Sequence, residues 1–520
     1  MIKFISRKTL SSDLAKLFYL FFIGFFLRFF LLTNQSLWFD EGLTLDNIEA
    51  SSFVELITRL RNLPHSDIFQ PLYYVFLYVI RLFLGDSEFV LRGFSAILGF
   101  LVLPMLYGLA RRLYGKNHSI WTLFILVFSS FLIGYSQEAR NYSLLIFIAS
   151  LQLCIFSEVL DADSSKKPLS RFFFAIISSI GLFCSVQSIV FTASLSFSHL
   201  LIFRKWRHWI QWWLPTAIFC LFPIVYFLTL PADANPSTVN ISRFGFPIIY
   251  NAAFVIYGIL VGTTYGPSQE QLRGDDKLAV VLGSWPVLLI FIAVVSVIFL
   301  LIIRLFLQRD FRSKIFRLDC FFICLAVTSF VLAIVMALIT KMNLVPRHAY
   351  YLWLPLAMIL PSLLHGPFLI GKVRPLYKAI ARLSILFFIF LNLYSVSNYY
   401  FDQSYWRDDY RSVVRYLIEN RVSGSPSVLL FGSTKLIRYY GDFETIDGHE
   451  VAWKMLSGDD YWLKSLSSVA NDSKKIILVV NRKHFLEAEF PLEEKISDAY
   501  KIDYIVEDFN YFHIYYLSAI

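Results

Sequence analysis

Apolar runs of bilayer-spanning length recur along the chain up to Asn398, and they leave it few choices of fold. The first runs from about Leu17 to Leu32. Others cover roughly 89–110, 119–135, 142–160, 172–187, 188–203, 209–230, 278–303, 318–340, 349–368 and 377–398. Each can cross a membrane as a helix, which satisfies its own backbone polar groups where no water is present. Of the 520 residues 57% are hydrophobic and 16% charged, a balance that excludes a soluble globular class. The net charge of +9 therefore reads loop by loop, as topology and membrane-lipid contact, with no affinity for nucleic acid expected. No cleavable signal is expected, because the first run lacks a small-residue cleavage site and continues into Gln35-Ser36-Leu37-Trp38.

Basic residues set the orientation. Lys3, Arg7, Lys8 and Lys16 precede the first run, so the N-terminus is expected inside and the loop after it outside. Further clusters are Arg111, Arg112 and Lys116; Lys166, Lys167 and Arg171; Arg204, Lys205 and Arg207; Arg304, Arg309, Arg312, Lys314 and Arg317; and Lys372, Arg374 and Lys378. All of them fall inside only if Pro71–Leu84 does not cross. It begins with proline and, at about 14 residues, is too short for a comfortable span, so it reads as an interfacial helix in an external loop covering 35–88. About eleven spans result, with 172–203 open to being one long helix. A second external segment covers 231–277.

Beyond residue 398 the composition turns polar. Helix-like Tyr410–Asn420 and Leu492–Tyr500 alternate with strand-like Val428–Phe431, Lys475–Val480 and Tyr511–Tyr516. The expected fold class is thus an all-α polytopic membrane domain, 1–398, with a small extracytoplasmic α/β domain at 399–520. Gly432-Ser433-Thr434 after a strand reads as an ordinary turn, since the dinucleotide-binding glycine pattern is absent. His118 and His208 sit in basic inner turns and read as headgroup contacts. No histidine–acid spacing resembles a metal site, and Cys320 and Cys324 read as small apolar residues, so neither metal nor cofactor is expected.

With this topology the unusual polar residues gather at outer turns. Asp40 and Glu41 follow Trp38; Glu138, Arg140 and Tyr142 lie in Ser-Gln-Glu-Ala-Arg-Asn-Tyr; Arg347 lies in Pro-Arg-His-Ala-Tyr with Lys341 close by; Gln70 and Tyr74 open the interfacial helix. Such a set suits transfer of a sugar from a lipid phosphate. Departure of the phosphate needs cations, expected to be Arg140 and Arg347 as two-pronged donors, and the acceptor needs a carboxylate base, expected to be Asp40. Simpler readings stand beside this one. Glu41 orients the acceptor or caps a helix start; Glu138 and Arg140 pair with each other; Arg347 reaches for headgroups. Arg28, inside the first run, faces a phosphate pocket or snorkels outward.

Trp-x-Asp-Glu after the first run, Gln-Pro-Leu-Tyr-Tyr (70–74), Ser-Gln-Glu-Ala-Arg-Asn-Tyr (136–142), Gly-Pro-Ser-x-x-x-Leu-Arg (266–273), Pro-Arg-His-Ala-Tyr (346–350) and Trp-Arg-Asp-Asp-Tyr-Arg (406–411) occur in that order. The set resembles glycosyltransferase family 39, of the membrane C-type fold, related to protein O-mannosyltransferases and lipid A aminoarabinose transferases. The resemblance covers nearly the whole chain. It implies a polyprenyl-phosphate sugar donor, a lipid, glycan or protein acceptor, and inverting transfer at the outer face of a bacterial inner membrane. It also implies Asp40 as base, Glu138 and Arg140 as the second-loop acid and arginine, and Arg347 at the phosphate. Gln70 departs from the histidine or other basic residue often found there; an amide can bond a phosphate but brings no charge. A polymerase or ligase acting on diphosphate-linked glycans, a polysaccharide flippase or transporter, and a non-catalytic envelope scaffold are the competing classes. A transporter is expected to show charges within several helices and matching halves, neither of which is evident.

Overall fold

The computed structural model describes residues 7–63, 66–160, 168–231, 248–267, parts of 271–300, 313–340, 344–364, 373–420, 427–430, 433–441, 448–451, 475–481, 492–497 and 500–519. Lys341 and Arg273, the basic residues Lys166, Lys167, Arg304, Arg309, Arg312 and Lys372, most of 231–277 and part of 278–303 fall outside them. The chain divides into two compact units. One holds the helices before Asn398 apart from Leu31–Glu49; the other joins Leu31–Glu49 to Tyr399–Ile520.

In the first unit the described helices are α1 (Arg7–Phe29), α3 (Phe53–Arg61), α4 (Pro71–Leu84), α5 (Glu88–Tyr114), α6 (Lys116–Val127), α7 (Ser130–Ser136), α8 (Tyr142–Leu160), α9 (Pro168–Cys184), α10 (Ser188–Phe203), α11 (Trp206–Leu228), α12 (Ile248–Val261), α13 (Lys314–Thr340), α14 (Trp353–Ser362) and α15 (Val373–Phe401). Among the described residues five helices, α5, α8, α11, α13 and α15, are long and apolar enough to cross a membrane; α6 and α7, bent by 56° at their junction, make a sixth if taken together. Residues 172–203 form two helices rather than one, with 17 residues in α9 and 16 in α10. α4 buries Tyr73, Tyr74, Leu77 and Tyr78 and leaves Phe76, Val79, Leu82, Phe83 and Leu84 exposed, an apolar outer face of the kind lipid covers.

Small residues and polar side chains hold the bundle where apolar contact gives little preference for protein over lipid. A Cβ on Gly24 would lie 2.5 Å from Leu103 Cδ1, and one on Gly99 2.5 Å from Ser136 Cβ, so α1 and α7 approach α5 through glycine. At the break before α7, Asn392 Oδ1 accepts from the Ser130 amide (3.0 Å) and hydroxyl (3.1 Å) while its Nδ2 donates to Leu260 O (2.9 Å). An interrupted span is tolerated in this way, with its freed backbone group satisfied by a neighbouring helix. Arg28 is fully buried; its Nη1 and Nη2 donate to Gly24 O (2.9 Å) and Leu126 O (3.2 Å). Outward snorkelling is thereby overturned, because the guanidinium is buried and turned to internal carbonyls. The headgroup reading of His118 fails as well: it is fully buried and stacks on Tyr114 at 4.0 Å. His208 meets His199 at 3.2 Å between ring nitrogens.

The second unit carries α2 (Phe39–Ile48), α16 (Tyr410–Glu419), α17 (Thr434–Tyr440), α18 (Leu492–Ser497) and five strands: β1 (Ser427–Leu430), β2 (Gly448–Val451), β3 (Lys475–Asn481), β4 (Tyr500–Phe509) and β5 (Phe512–Ala519). The sheet order is β2-β1-β3-β5-β4; β1 runs parallel to β2 and β3, while β5 runs antiparallel to β3 and β4. Central β3 is buried from Ile476 to Asn481, as a strand covered on both faces must be. Ser433 is an N-cap: its Oγ accepts from Leu436 N (3.3 Å), and its own N–H donates to the Tyr410 hydroxyl (2.9 Å). Of Gly432-Ser433-Thr434, Gly432 lies outside the described residues and Thr434 opens α17.

Candidate active site

Within the first unit, α4 enters through a short 3₁₀ turn, Ser66–Phe69, and the fixed φ of Pro71 suits the first helical position. That turn places Asp67, 2% exposed, against the loop between α7 and α8. Arg140 Nη1 and Nη2 donate to Asp67 Oδ2 (2.9 Å) and Oδ1 (2.8 Å), a two-pronged buried ion pair. The Tyr74 hydroxyl, one turn into α4, accepts from Arg140 Nη1 (3.2 Å) and Gln70 Nε2 (3.3 Å). Gln70 Nε2 also donates to Asp67, and its Oε1 accepts from Asn141 Nδ2 (2.6 Å), which donates in turn to Cys184 O (3.0 Å). The Val186 amide bonds Phe69 O (3.2 Å), so the α9–α10 turn closes the same cluster.

The electrostatics follow from burial and pairing. Burial works against charge on Arg140, but Asp67, Tyr74 and Tyr142 hold it protonated, above its ordinary value. Burial pushes the Tyr74 phenol well above its ordinary value, and Arg140 offsets only part of that. Gln137, in the same loop, donates through Nε2 to Leu27 O (3.2 Å), Arg28 O (3.1 Å) and Phe30 O (2.9 Å) at the end of α1.

Gln70, Tyr74 and Arg140 are thus brought together, with Tyr142 buried beside them and edge-on to Tyr135 at 4.9 Å. Glu138 is buried in the same loop. Arg347 lies half-buried on a 3₁₀ turn, Pro346–Leu352, whose Pro346 packs so closely on Gly258 that a Cβ there would meet Pro346 Cγ at 2.3 Å. Tyr350 and Tyr351 on this turn are buried, and Tyr351 stacks on Phe191 of α10. Asp67 escapes sequence reasoning, and Asn141 enters it only as part of its motif. The signal that could have found Asp67 is physical: a buried arginine demands a counter-charge, and Asp67 is the acid nearest Gln70 in sequence.

Asp40 and Glu41 lie in the second unit, in the first turn of α2. Glu41 is fully buried, and its Oε2 accepts from the Trp38 N–H (3.3 Å), half of a capping box. Asp40 is half-buried. Asp408 Oδ2 accepts from the Phe39 N–H (3.1 Å), and the Arg407 guanidinium lies over the Trp38 ring at 4.4 Å. Both come from the Trp-Arg-Asp-Asp-Tyr-Arg motif. Among the described residues no group of three or more His, Cys, Asp and Glu side chains gathers as a metal site would.

Residues 70–230 match the family described as dolichyl-phosphate-mannose-protein mannosyltransferase. No curated protein matches the chain in sequence. Among solved structures, ArnT from Cupriavidus metallidurans bound to undecaprenyl phosphate is similar at 13% identity and a TM-score of 0.47, over 97% of this chain and 98% of that one. The archaeal oligosaccharyltransferase AglB from Archaeoglobus fulgidus, in complex with an inhibitory peptide and a dolichol-phosphate, is similar at 13% identity and a TM-score of 0.47, over 98% of this chain and 74% of that one. The family match spans the loops and helices that build the Arg140 cluster.

Proposed function

We propose that the protein transfers a sugar from a polyprenyl-phosphate donor to a lipid, glycan or protein acceptor at the outer face of a bacterial inner membrane, with inversion. The observation that carries this reading is the division of labour in the first turn of α2. Glu41 is buried and tied to the Trp38 N–H, whereas Asp40 keeps a half-buried carboxylate at the same helix start. The family description, which names a dolichyl-phosphate mannose, supports a lipid-monophosphate donor. Asp40 takes the proton of the acceptor hydroxyl or amine. The freed electron pair forms the new bond to the anomeric carbon from the face opposite the phosphate. The old carbon–oxygen bond breaks, and its electron pair leaves on the lipid phosphate.

Arg140 and Arg347 take different parts in this reading. The Arg140 fork already closes on Asp67, so its role is to fix Tyr74, Gln70 and the α4 start, with Glu138 and Tyr142 beside it. Arg347 is the cation for the leaving phosphate. Arg347→Ala is expected to lower turnover about tenfold to a hundredfold, the loss of a charge-assisted contact, with partial recovery in Arg347→Lys, which lacks the planar fork. Wild-type turnover and donor KM in the alanine variant would place the phosphate elsewhere.

The orientation is checked in intact cells. In a background without native cysteines, cysteine at Ser87 or Ser425 is expected to react with an impermeant reagent while cysteine at Ser165 stays protected. Protection at either outer position together with labelling at Ser165 would reverse the topology.

A further inference from the structure

The Trp406–Arg411 motif has no part in the transfer step as drawn, yet the chain devotes a buried acid to it. Asp408 is 1% exposed. Burying a carboxylate is costly unless hydrogen bonds satisfy it, and the start of a helix offers them. Its neighbour Asp409 is an ordinary cap, accepting from Ser412 N (3.1 Å) at the start of its own helix, α16. Asp408 instead reaches back across the sequence to the start of α2, accepting the Phe39 N–H at 3.1 Å.

Other bonds lace the same two segments. The Ser36 hydroxyl donates to Asp408 O (2.7 Å) and accepts from the Tyr410 N–H (3.1 Å). The Leu37 N–H donates to the Tyr440 hydroxyl (2.6 Å), and Gln35 Nε2 donates to Tyr399 O (3.1 Å). Consecutive backbone N–H groups of Leu37, Trp38 and Phe39 therefore each meet a side-chain acceptor: Tyr440, Glu41 and Asp408 in turn. The next residue is Asp40. One turn on, a Cβ at Gly42 would lie 2.7 Å from Ser433 Oγ and 2.8 Å from Leu436 Cγ, so α2 rests directly on α17.

We propose that Asp408 is a positioning residue for Asp40: through the Phe39 N–H it sets where the α2 start, and with it the base, is held. This deepens the reading of Asp40 as base and rests on it. The C-terminal α/β part then serves as the mount of the catalytic turn. The required contact is a hydrogen-bond acceptor at Asp408 Oδ2, so an amide oxygen there retains the effect and a methyl group does not.

The test compares Asp40→Asn, Asp408→Ala and Asp408→Asn as purified protein, at equal amounts of monodisperse folded enzyme, with a polyprenyl-phosphate sugar as donor. Asp408→Ala is expected to lose about tenfold to a hundredfold in kcat, as a displaced reacting group does, with the donor KM within about twofold of wild type. Asp408→Asn is expected to keep most of the turnover. A purely structural role would instead lower the yield and melting temperature of Asp408→Ala and leave the kcat of the surviving protein unchanged. That outcome, or an Asp408→Asn variant as slow as Asp408→Ala, overturns the proposal while an inactive Asp40→Asn leaves the base reading standing. An active Asp40→Asn overturns both. Should Asp408→Ala fail to accumulate, Tyr440→Phe, which removes the hydroxyl that accepts the Leu37 N–H, is read the same way: a severalfold loss in kcat at unchanged donor KM supports the mount, and wild-type turnover overturns it.

Discussion

Asp40→Asn is expected to reach the membrane in normal amount, bind the lipid donor, and lose at least about a hundredfold in turnover. Asparagine keeps the size of the side chain and one acceptor oxygen but cannot take a proton. Half-buried at the α2 start, Asp40 has little packing to lose in this exchange. Glu41 provides the contrast. Its carboxylate is buried against the Trp38 N–H, so Glu41→Gln retains an acceptor for that bond and is expected to be mild. Glu41→Ala removes the capping contact and is expected to cost about 1 kcal/mol of stability, the usual scale for a lost helix cap. Turnover and melting temperature for the three variants separate base from cap. A dead Glu41→Gln beside a fully active Asp40→Asn would exchange the roles of the pair.

Arg140→Ala and Asp67→Ala are each expected to destabilise the membrane unit by about 3–5 kcal/mol, because each strands a buried charge whose partner has gone. The pair is 7% and 3% exposed and makes two charge-assisted hydrogen bonds. Replacing both residues together, Asp67→Leu with Arg140→Met, leaves neither charge stranded and is expected to restore at least half of the loss. Thermal unfolding in detergent, read as a double-mutant cycle, measures this directly. Were Arg140→Ala to melt like wild type while losing donor affinity, the guanidinium would be serving the phosphate and not Asp67.

Much of this was legible in the sequence because it is local. Apolar runs became helices, and strand-like Lys475–Val480 and Tyr511–Tyr516 became β3 and most of β5, with ends shifted by a few residues. β2 escaped because Gly448–Val451 is short and polar, as an edge strand can be. β4 is hidden because half-exposed Tyr500–Phe509 alternates weakly, and its first residue also fits the end of helix-like Leu492–Tyr500. The site divides along the same line. Asp40, Glu41, Arg140 and Arg347 stand out as charges beside apolar runs, where a charge needs a reason. Asp67 and Asp408 do not, because what marks them is a partner far along the chain: Arg140 is 73 residues from Asp67, and Phe39 is 369 from Asp408. Asp67 lies three residues from Gln70 and Asp408 within a quoted motif, but neither position names its partner. The same holds for Arg28, whose burial depends on a carbonyl 98 residues away at Leu126.

Transfer from a polyprenyl-phosphate sugar leaves a lipid monophosphate behind. Purified protein, incubated with a panel of polyprenyl-phosphate sugars and envelope acceptors, is read by mass spectrometry for the lipid released. Polyprenyl monophosphate is expected, formed in step with glycosylated acceptor by the wild type and not by Asp40→Asn. Polyprenyl diphosphate released from a diphosphate-linked glycan, with the monophosphate sugars left intact, would contradict it and make the protein a polymerase or ligase.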